Sequence, residues 1–254
     1  MNGDFLALLP KHPPVQLNAP ISSALEPLQA TTVFAFHCAE GVIIAGDHRA
    51  TAGNVIFSDK TEKILELDSH SLMAIAGVPA TAFEMARTLQ TAFEYYRRSQ
   101  LQPMSLNAKI RALSRLLRDN LAATLQGFGI VAPIFAGVET DDPKAKPAIY
   151  FYDPLGAQFE AASYAGSGSG SGSIKSVLHF LEKWGNPKPA EMSLREGVAL
   201  ATRLLMTAAE FDAATGGVHP DRQVWATIKL VSRDGIRDIA MDEQEQCWKE
   251  AAVA

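Results

Sequence analysis

Two neighbouring apolar runs constrain this chain more than any other feature. Thr32-Val33-Phe34-Ala35-Phe36-His37-Cys38 and Val42-Ile43-Ile44-Ala45-Gly46 each have the length and β-branched or aromatic content of a strand, and only the Glu40-Gly41 turn separates them. The second run is apolar throughout, so it is expected to be buried on both faces. Such a hairpin needs partners above and below it.

The rest of the chain offers them. Lys63-Ile64-Leu65-Glu66-Leu67 alternates as a half-exposed strand should, and Leu72–Gly77 reads as another buried strand after the Asp68–Ser71 turn. A helix is predicted from about Ala80 to Arg98, with Phe83, Ala86, Leu89, Ala92 or Phe93, and Tyr96 on one stripe. A second helix starts near the N-cap Ser105 and carries Ile110, Leu113, Leu117, Leu121 and Leu125. Strands return at Ile134–Val138 and Ala148–Tyr152. Four Gly-Ser repeats, Gly166 to Ser173, lead into a helix at Ile174–Lys183, and Leu194–Phe211 is a further long helix. Gln223–Val231 and Ile236–Met241 read as strands, and Asp242–Ala252 as a short terminal helix. Strands grouped apart from helices predict an α+β fold of antiparallel sheets with helices packed outside them.

Residues 1–30 have a different texture. They hold Pro10, Pro13, Pro14, Pro20 and Pro27 and show no sustained period, so they are not expected to pack as a core. This segment ends against Thr31-Thr32, and a cut between Ala30 and Thr31 would make Thr31 a new N-terminus. A threonine hydroxyl is a poor nucleophile at neutral pH. A free α-amine, with an ordinary pKa near ~8, can serve as its base, and only an N-terminal threonine carries both groups in one residue.

Four other features are placed to assist. Asp47 follows the second strand, where a hairpin returns it to the start of the first. Lys63 opens the next strand; near Thr31 it would lower the hydroxyl pKa, and Asp47 would keep it charged and oriented. Gly77 ends a buried strand, where its N–H can face a ligand and stabilise an oxyanion. Asp212-Ala213-Ala214-Thr215-Gly216-Gly217 closes a long helix with an acid, a hydroxyl and two glycines. Taken singly, each has a plain structural explanation: a turn residue, a solvated lysine, a helix-entry turn, a C-cap.

Composition narrows the function classes. With 47% hydrophobic and 20% charged residues in 254, the chain can build a sizeable core, and a net charge of −5 argues against a general nucleic-acid footprint. Arg97, Arg98, Lys109, Arg111, Arg115 and Arg118 form a basic cluster over two helices, read as a solvated face or subunit contact. Two cysteines, Cys38 and Cys247, give no disulfide framework, and no apolar run reaches the ~18 residues of a membrane span. A cytoplasmic location is expected.

In order and spacing, Thr31-Thr32, Gly46-Asp47-His48-Arg49-Ala50-Thr51-Ala52-Gly53-Asn54, Lys63, Ile75-Ala76-Gly77, Asn120-Leu121-Ala122-Ala123, Gly166-Ser167-Gly168-Ser169 and Asp212–Gly217 resemble a proteasome β-subunit of the actinobacterial type, an N-terminal-nucleophile hydrolase. The resemblance covers roughly residues 31–240. It implies a four-layer α-β-β-α sandwich, a propeptide at 1–30, and a single catalytic domain at 31–254. It also implies a threonine endopeptidase that uses neither metal nor cofactor. Thr31 would be the nucleophile, with Asp47 and Lys63 as charge partners, and Ser167, Asp212 and Thr215 would surround its amine. Gly77 would be the oxyanion donor. The backbone of Thr51 and Gly77 would pair with substrate, and Ile75, Ala50 and Leu65 would shape an apolar first pocket. The implied partners are proteasome α-subunits, other β-subunits in a heptameric ring, a ring-shaped ATPase or other activator, and unfolded polypeptides.

Three departures stand out. Ala30 replaces the family's usual glycine before the nucleophile, which disfavours the tight turn of self-cleavage. The Gly-Ser run has four repeats where two are usual, and the choice falls on Ser167 rather than Ser169. Pro79 lies in the substrate segment without an N–H. His48 reads as facing solvent or an interface. The alternative to an active peptidase is an unprocessed, catalytically silent ring subunit. A simpler ring-forming ATP-dependent peptidase and a scaffold using the basic cluster fit less well.

Overall fold

The computed structural model describes residues 31–52 and 55–253. The expected propeptide at 1–30, including Ala30 of the cleavage site, and the Gly53-Asn54 end of the second motif lie outside the described residues.

The opening hairpin forms as expected, from β1 (Thr32–Cys38) and β2 (Gly41–Gly46), and β3 (Ala50–Ala52) and β4 (Val55–Ser58) follow as a small separate hairpin. Then come β5 (Ile64–Asp68), β6 (Ser71–Ala74), α1 (Pro79–Gln100), α2 (Leu106–Asp119) and the short α3 (Leu121–Leu125). Next are β7 (Ile134–Gly137), β8 (Ala148–Tyr152), β9 (Gln158–Ala161) and β10 (Tyr164–Gly168). The chain finishes with α4 (Ser171–Trp184), α5 (Leu194–Phe211), β11 (Thr227–Ser232), β12 (Gly235–Asp238) and α6 (Met241–Val253). Two five-stranded antiparallel sheets result, ordered β10-β1-β2-β11-β12 and β5-β6-β7-β8-β9.

Side-chain alternation on the strands sorts the core into three interfaces. Phe34, Phe36, Ile43, Ile228 and Leu230 turn outward and pack under α4 and α5, against Ile174, Leu178, Val198 and Leu205. Val33, Ala35, Val42 and Ile44 turn inward and meet Ile64, Leu72, Ala74, Ile134 and Ala136 of the second sheet. On that sheet's far face, Met73 and Phe135 pack under α1 and α2, against Ala86, Leu89, Leu113 and Leu117. Three stacked interfaces make four layers, α-β-β-α. The double burial of β2 follows from its central place in one of the two middle layers.

Local chemistry sets the helix ends. Ser105 caps α2 by accepting from Ala108 N, and Ser193 with Glu196 forms a capping box at α5. The α2 stripe does not run on to Leu125. The chain turns at Asn120, whose side-chain amide donates to Gly129 O at 2.6 Å, leaving Leu121 37% and Leu125 66% exposed. The Gln223–Val231 strand also begins later than expected, at Thr227.

Candidate active site

The hairpin register determines where the first acid sits. Val33 pairs with Gly46, so Asp47, one residue beyond β2, lies across from Thr32. Asp47 N donates to Thr32 O at 3.3 Å, and Thr32 N donates to Asp47 Oδ1 at 3.0 Å. Lys63, just before β5, reaches the same oxygen at 2.6 Å and also donates to Arg49 O at 2.5 Å. Asp47 Oδ2 accepts from Gly216 N at 2.7 Å and Arg49 N at 3.0 Å.

The Asp47 and Lys63 side chains are each only 1% exposed. A buried carboxylate is tolerable only when its oxygens are this fully hydrogen-bonded. Burial pushes the Lys63 ammonium below its ordinary range, and the charge and hydrogen bond of Asp47 oppose that push.

A second polar group lies against the first. Asp212 is the C-cap of α5. Its Oδ2 accepts from Ser169 Oγ and Thr215 Oγ1, each at 2.6 Å, and its Oδ1 accepts from Ala214 N at 3.1 Å. Burial works to raise the Asp212 carboxyl, but the hydroxyls of Ser169 and Thr215 hold it below the usual carboxylate range. Arg49 fastens this loop to the Asp47 side through Nη1 contacts to Ala213 O at 3.2 Å and Thr215 O at 3.4 Å. Its Nε pairs with Asp59 at 3.0 Å.

The structure brings Ser169, not Ser167, to Asp212. On β10 the pairing with β1 is Val33↔Ser167 and Thr32↔Gly168. Directly paired residues share a sheet face, so Ser167 follows Val33 inward and donates to Ala132 O at 2.6 Å. Ser169 lies past the strand end, where its N–H donates to Thr31 O at 3.1 Å and its hydroxyl turns to Asp212. Gly168 makes this approach possible. Its φ is +94°, and a Cβ there would sit 1.6 Å from Thr31 O.

The remaining expected residues gather around Gly77. Its φ of +116° and its bridge to Val131 bring it against Ile130, whose carbonyl would be 2.0 Å from an added Cβ. Pro79 is the first residue of α1, where no intrahelical N–H is needed. Ala50, Thr51 and Ile75 are buried, and Ile75 joins the core under α1 with Leu65 at its edge. His48 is half-buried, with Nε2 3.3 Å from Thr227 Oγ1. Thr31 itself is 4% exposed.

A family model described as "Proteasome subunit" matches residues 28–219. The chain belongs to the proteasome subunit family. Among its relatives, a protein named proteasome subunit beta from Stackebrandtia nassauensis is 35% identical over 226 residues, covering 88% of this chain and 78% of the relative. Proteasome subunit beta 2 of Thermomonospora curvata is 38% identical over 215 residues, covering 85% and 73%. A Streptomyces griseus proteasome subunit beta is 31% identical over 227 residues, covering 89% and 78%. The resemblance to the actinobacterial β-type is therefore shown, together with the four-layer fold.

Two features of this proteasome subunit were not legible as parts of the site. Ser169 lies in a run where every second residue is serine, so the sequence does not single it out. Thr32 opens the first strand as half of the Thr31-Thr32 pair, with no role of its own implied, yet its Oγ1 lies 2.6 Å from Thr215 Oγ1 and accepts from Gly170 N at 3.0 Å.

Proposed function

We propose that this subunit is a threonine endopeptidase of a proteasome core particle, with Thr31 exposed by cleavage after Ala30. The observation carrying this reading is the buried Lys63–Asp47 pair, bonded at 2.6 Å directly against the backbone of Thr32, the residue after the proposed nucleophile. Burying such a pair is costly, and placing it at the mouth of β1 has an evident chemical use.

In the proposed mechanism, the Thr31 amine takes the hydroxyl proton as Oγ1 attacks the substrate carbonyl. The Lys63 charge favours the alkoxide, and Asp47 holds that lysine. The Gly77 N–H stabilises the oxyanion. The amine then protonates the leaving amide nitrogen, and water hydrolyses the Thr31 ester. Asp212, Thr215 and Ser169, in place of the expected Ser167, order the surroundings of the amine. Ala50, Thr51, Leu65, Ile75 and the Gly77–Pro79 segment form the substrate strand and its apolar first pocket.

The proposed assembly has β-subunits in a heptameric ring with α-subunits outside, and unfolded polypeptide fed by a ring-shaped ATPase or other activator in the cytoplasm. Among the described residues no helix is long and apolar enough to cross a membrane. Ala30 in place of glycine favours a second reading, an unprocessed structural ring subunit.

The test is Thr31→Ala assembled with its α partner. Loss of both peptide hydrolysis and leader removal is expected; hydrolysis retained in a well-purified variant would overturn the mechanism.

A further inference from the structure

Proton bookkeeping around Asp212 gives Thr32 a role of its own. The Asp212 carboxylate can only accept. Thr215 Oγ1 donates its one proton to Asp212 Oδ2 at 2.6 Å. It must therefore be the acceptor in its 2.6 Å contact with Thr32 Oγ1, so the Thr32 hydroxyl donates there. That commits the proton of Thr32, and its oxygen in turn accepts from Gly170 N at 3.0 Å. The chain of bonds runs one way, from the Gly170 N–H through Thr32 and Thr215 to Asp212. Thr32 is fully buried, so water cannot stand in for either partner.

The same residue is held on its other side by the Asp47–Lys63 group. Its N donates to Asp47 Oδ1 at 3.0 Å, and its O accepts from Asp47 N at 3.3 Å. Thr32 is thus where the two polar networks meet, one through the backbone and the other through the side chain. It is also bonded directly to Thr31.

We infer that Thr32 is a positioning residue of this site: its hydroxyl ties the start of β1 to the Ser169–Gly170 turn and the Asp212–Thr215 loop, and so fixes where the Thr31 backbone stands relative to Lys63. The tie itself is a statement about geometry. Its catalytic consequence rests on the peptidase proposed above. A β-branched hydroxyl suits the place, because the strand restricts χ1 and points the oxygen at both partners. Valine keeps the shape but strands a buried N–H and a buried hydroxyl oxygen. Serine keeps the oxygen and loses only the restriction.

The experiment compares wild type, Thr32→Val and Thr32→Ser in the assembled particle. Turnover of an apolar fluorogenic peptide should fall on the order of tenfold to a hundredfold in Thr32→Val with KM little changed, as small misplacements of a nucleophile do. Thr32→Ser should restore kcat to within about threefold. Amide hydrogen exchange, which needs no activity, should speed up in Thr32→Val at residues 169–170 and 212–215 by about tenfold or more, and return in Thr32→Ser. Exchange unchanged in Thr32→Val would overturn the inference whether or not the particle hydrolyses peptides. An active wild type with kcat undiminished in Thr32→Val would overturn its catalytic part and leave the peptidase proposal standing. A processed wild-type particle that hydrolyses nothing would sink the peptidase proposal, and the exchange data would then decide the tie alone.

Discussion

Asp47 shows how much of the site depends on single atoms. Its two oxygens accept from Thr32 N, Lys63 Nζ, Gly216 N and Arg49 N, drawing four segments of chain to one point. Removing Lys63 leaves that carboxylate buried without its counter-charge. Lys63→Ala is therefore expected to cost about 3–5 kcal/mol of stability and most of the turnover, while particle assembly survives. Chemical denaturation and peptide kinetics check the two parts, and near-normal rates would remove Lys63 from the mechanism. The serines separate as sharply. Ser169 donates to Asp212, whereas Ser167 donates to Ala132 O between the sheets. Ser169→Ala should lower kcat by about tenfold or more, whereas Ser167→Ala should leave kcat within about threefold. The reverse pattern would restore the sequence expectation. The sequence could not choose between the two serines, because a run of alternating Gly and Ser looks the same after a two-residue shift. Only the pairing of β10 with β1, anchored by Tyr164↔Phe36, breaks the tie.

At the scale of elements, the strong periods were legible and the short or glycine-rich pieces were not. The β1–β2 hairpin and the stripe of α1 needed nothing beyond the sequence. The β3–β4 hairpin and β9 are too brief to show a period against their surroundings. Lys109 belongs to the basic cluster of the sequence, but it is 2% exposed and pairs with Asp68 at 2.7 Å. The signal was present: Lys109, Leu113 and Leu117 share one helical face. Arg97 and Arg98 share the single carboxylate of Glu94, and Arg115 lies 3.8 Å from Asp119, so that cluster is only partly neutralised in place. Gly168 carries the clearest prediction at this scale. Gly168→Ala would need a non-glycine residue at φ +94° and a Cβ 1.6 Å from Thr31 O. A loss of about 2–3 kcal/mol or more is expected, read as a fall in Tm, with loss of peptide hydrolysis. An unchanged Tm would mean that the turn is not seated against Thr31.

Across the whole molecule, three apolar interfaces hold four layers, and the polar site lies at the edge of the stack where β1 begins and β2 and β10 end. The double burial of β2 and the grouping of strands and helices made this architecture readable. The meeting of Asp47, Asp212 and Ser169 was not readable, because it depends on the relative heights of three chain ends. The surface fits a subunit that is covered on assembly: Val55, Ile56 and Phe57 on β4 are consecutive and 68%, 51% and 72% exposed. The central proposal, that Thr31 becomes an N-terminus, is tested most directly by intact mass and N-terminal sequencing of the protein assembled with its α partner. A chain beginning Thr31-Thr32-Val33 is the predicted result. A chain that still carries residues 1–30 after assembly would contradict it and leave the subunit a structural member of the ring.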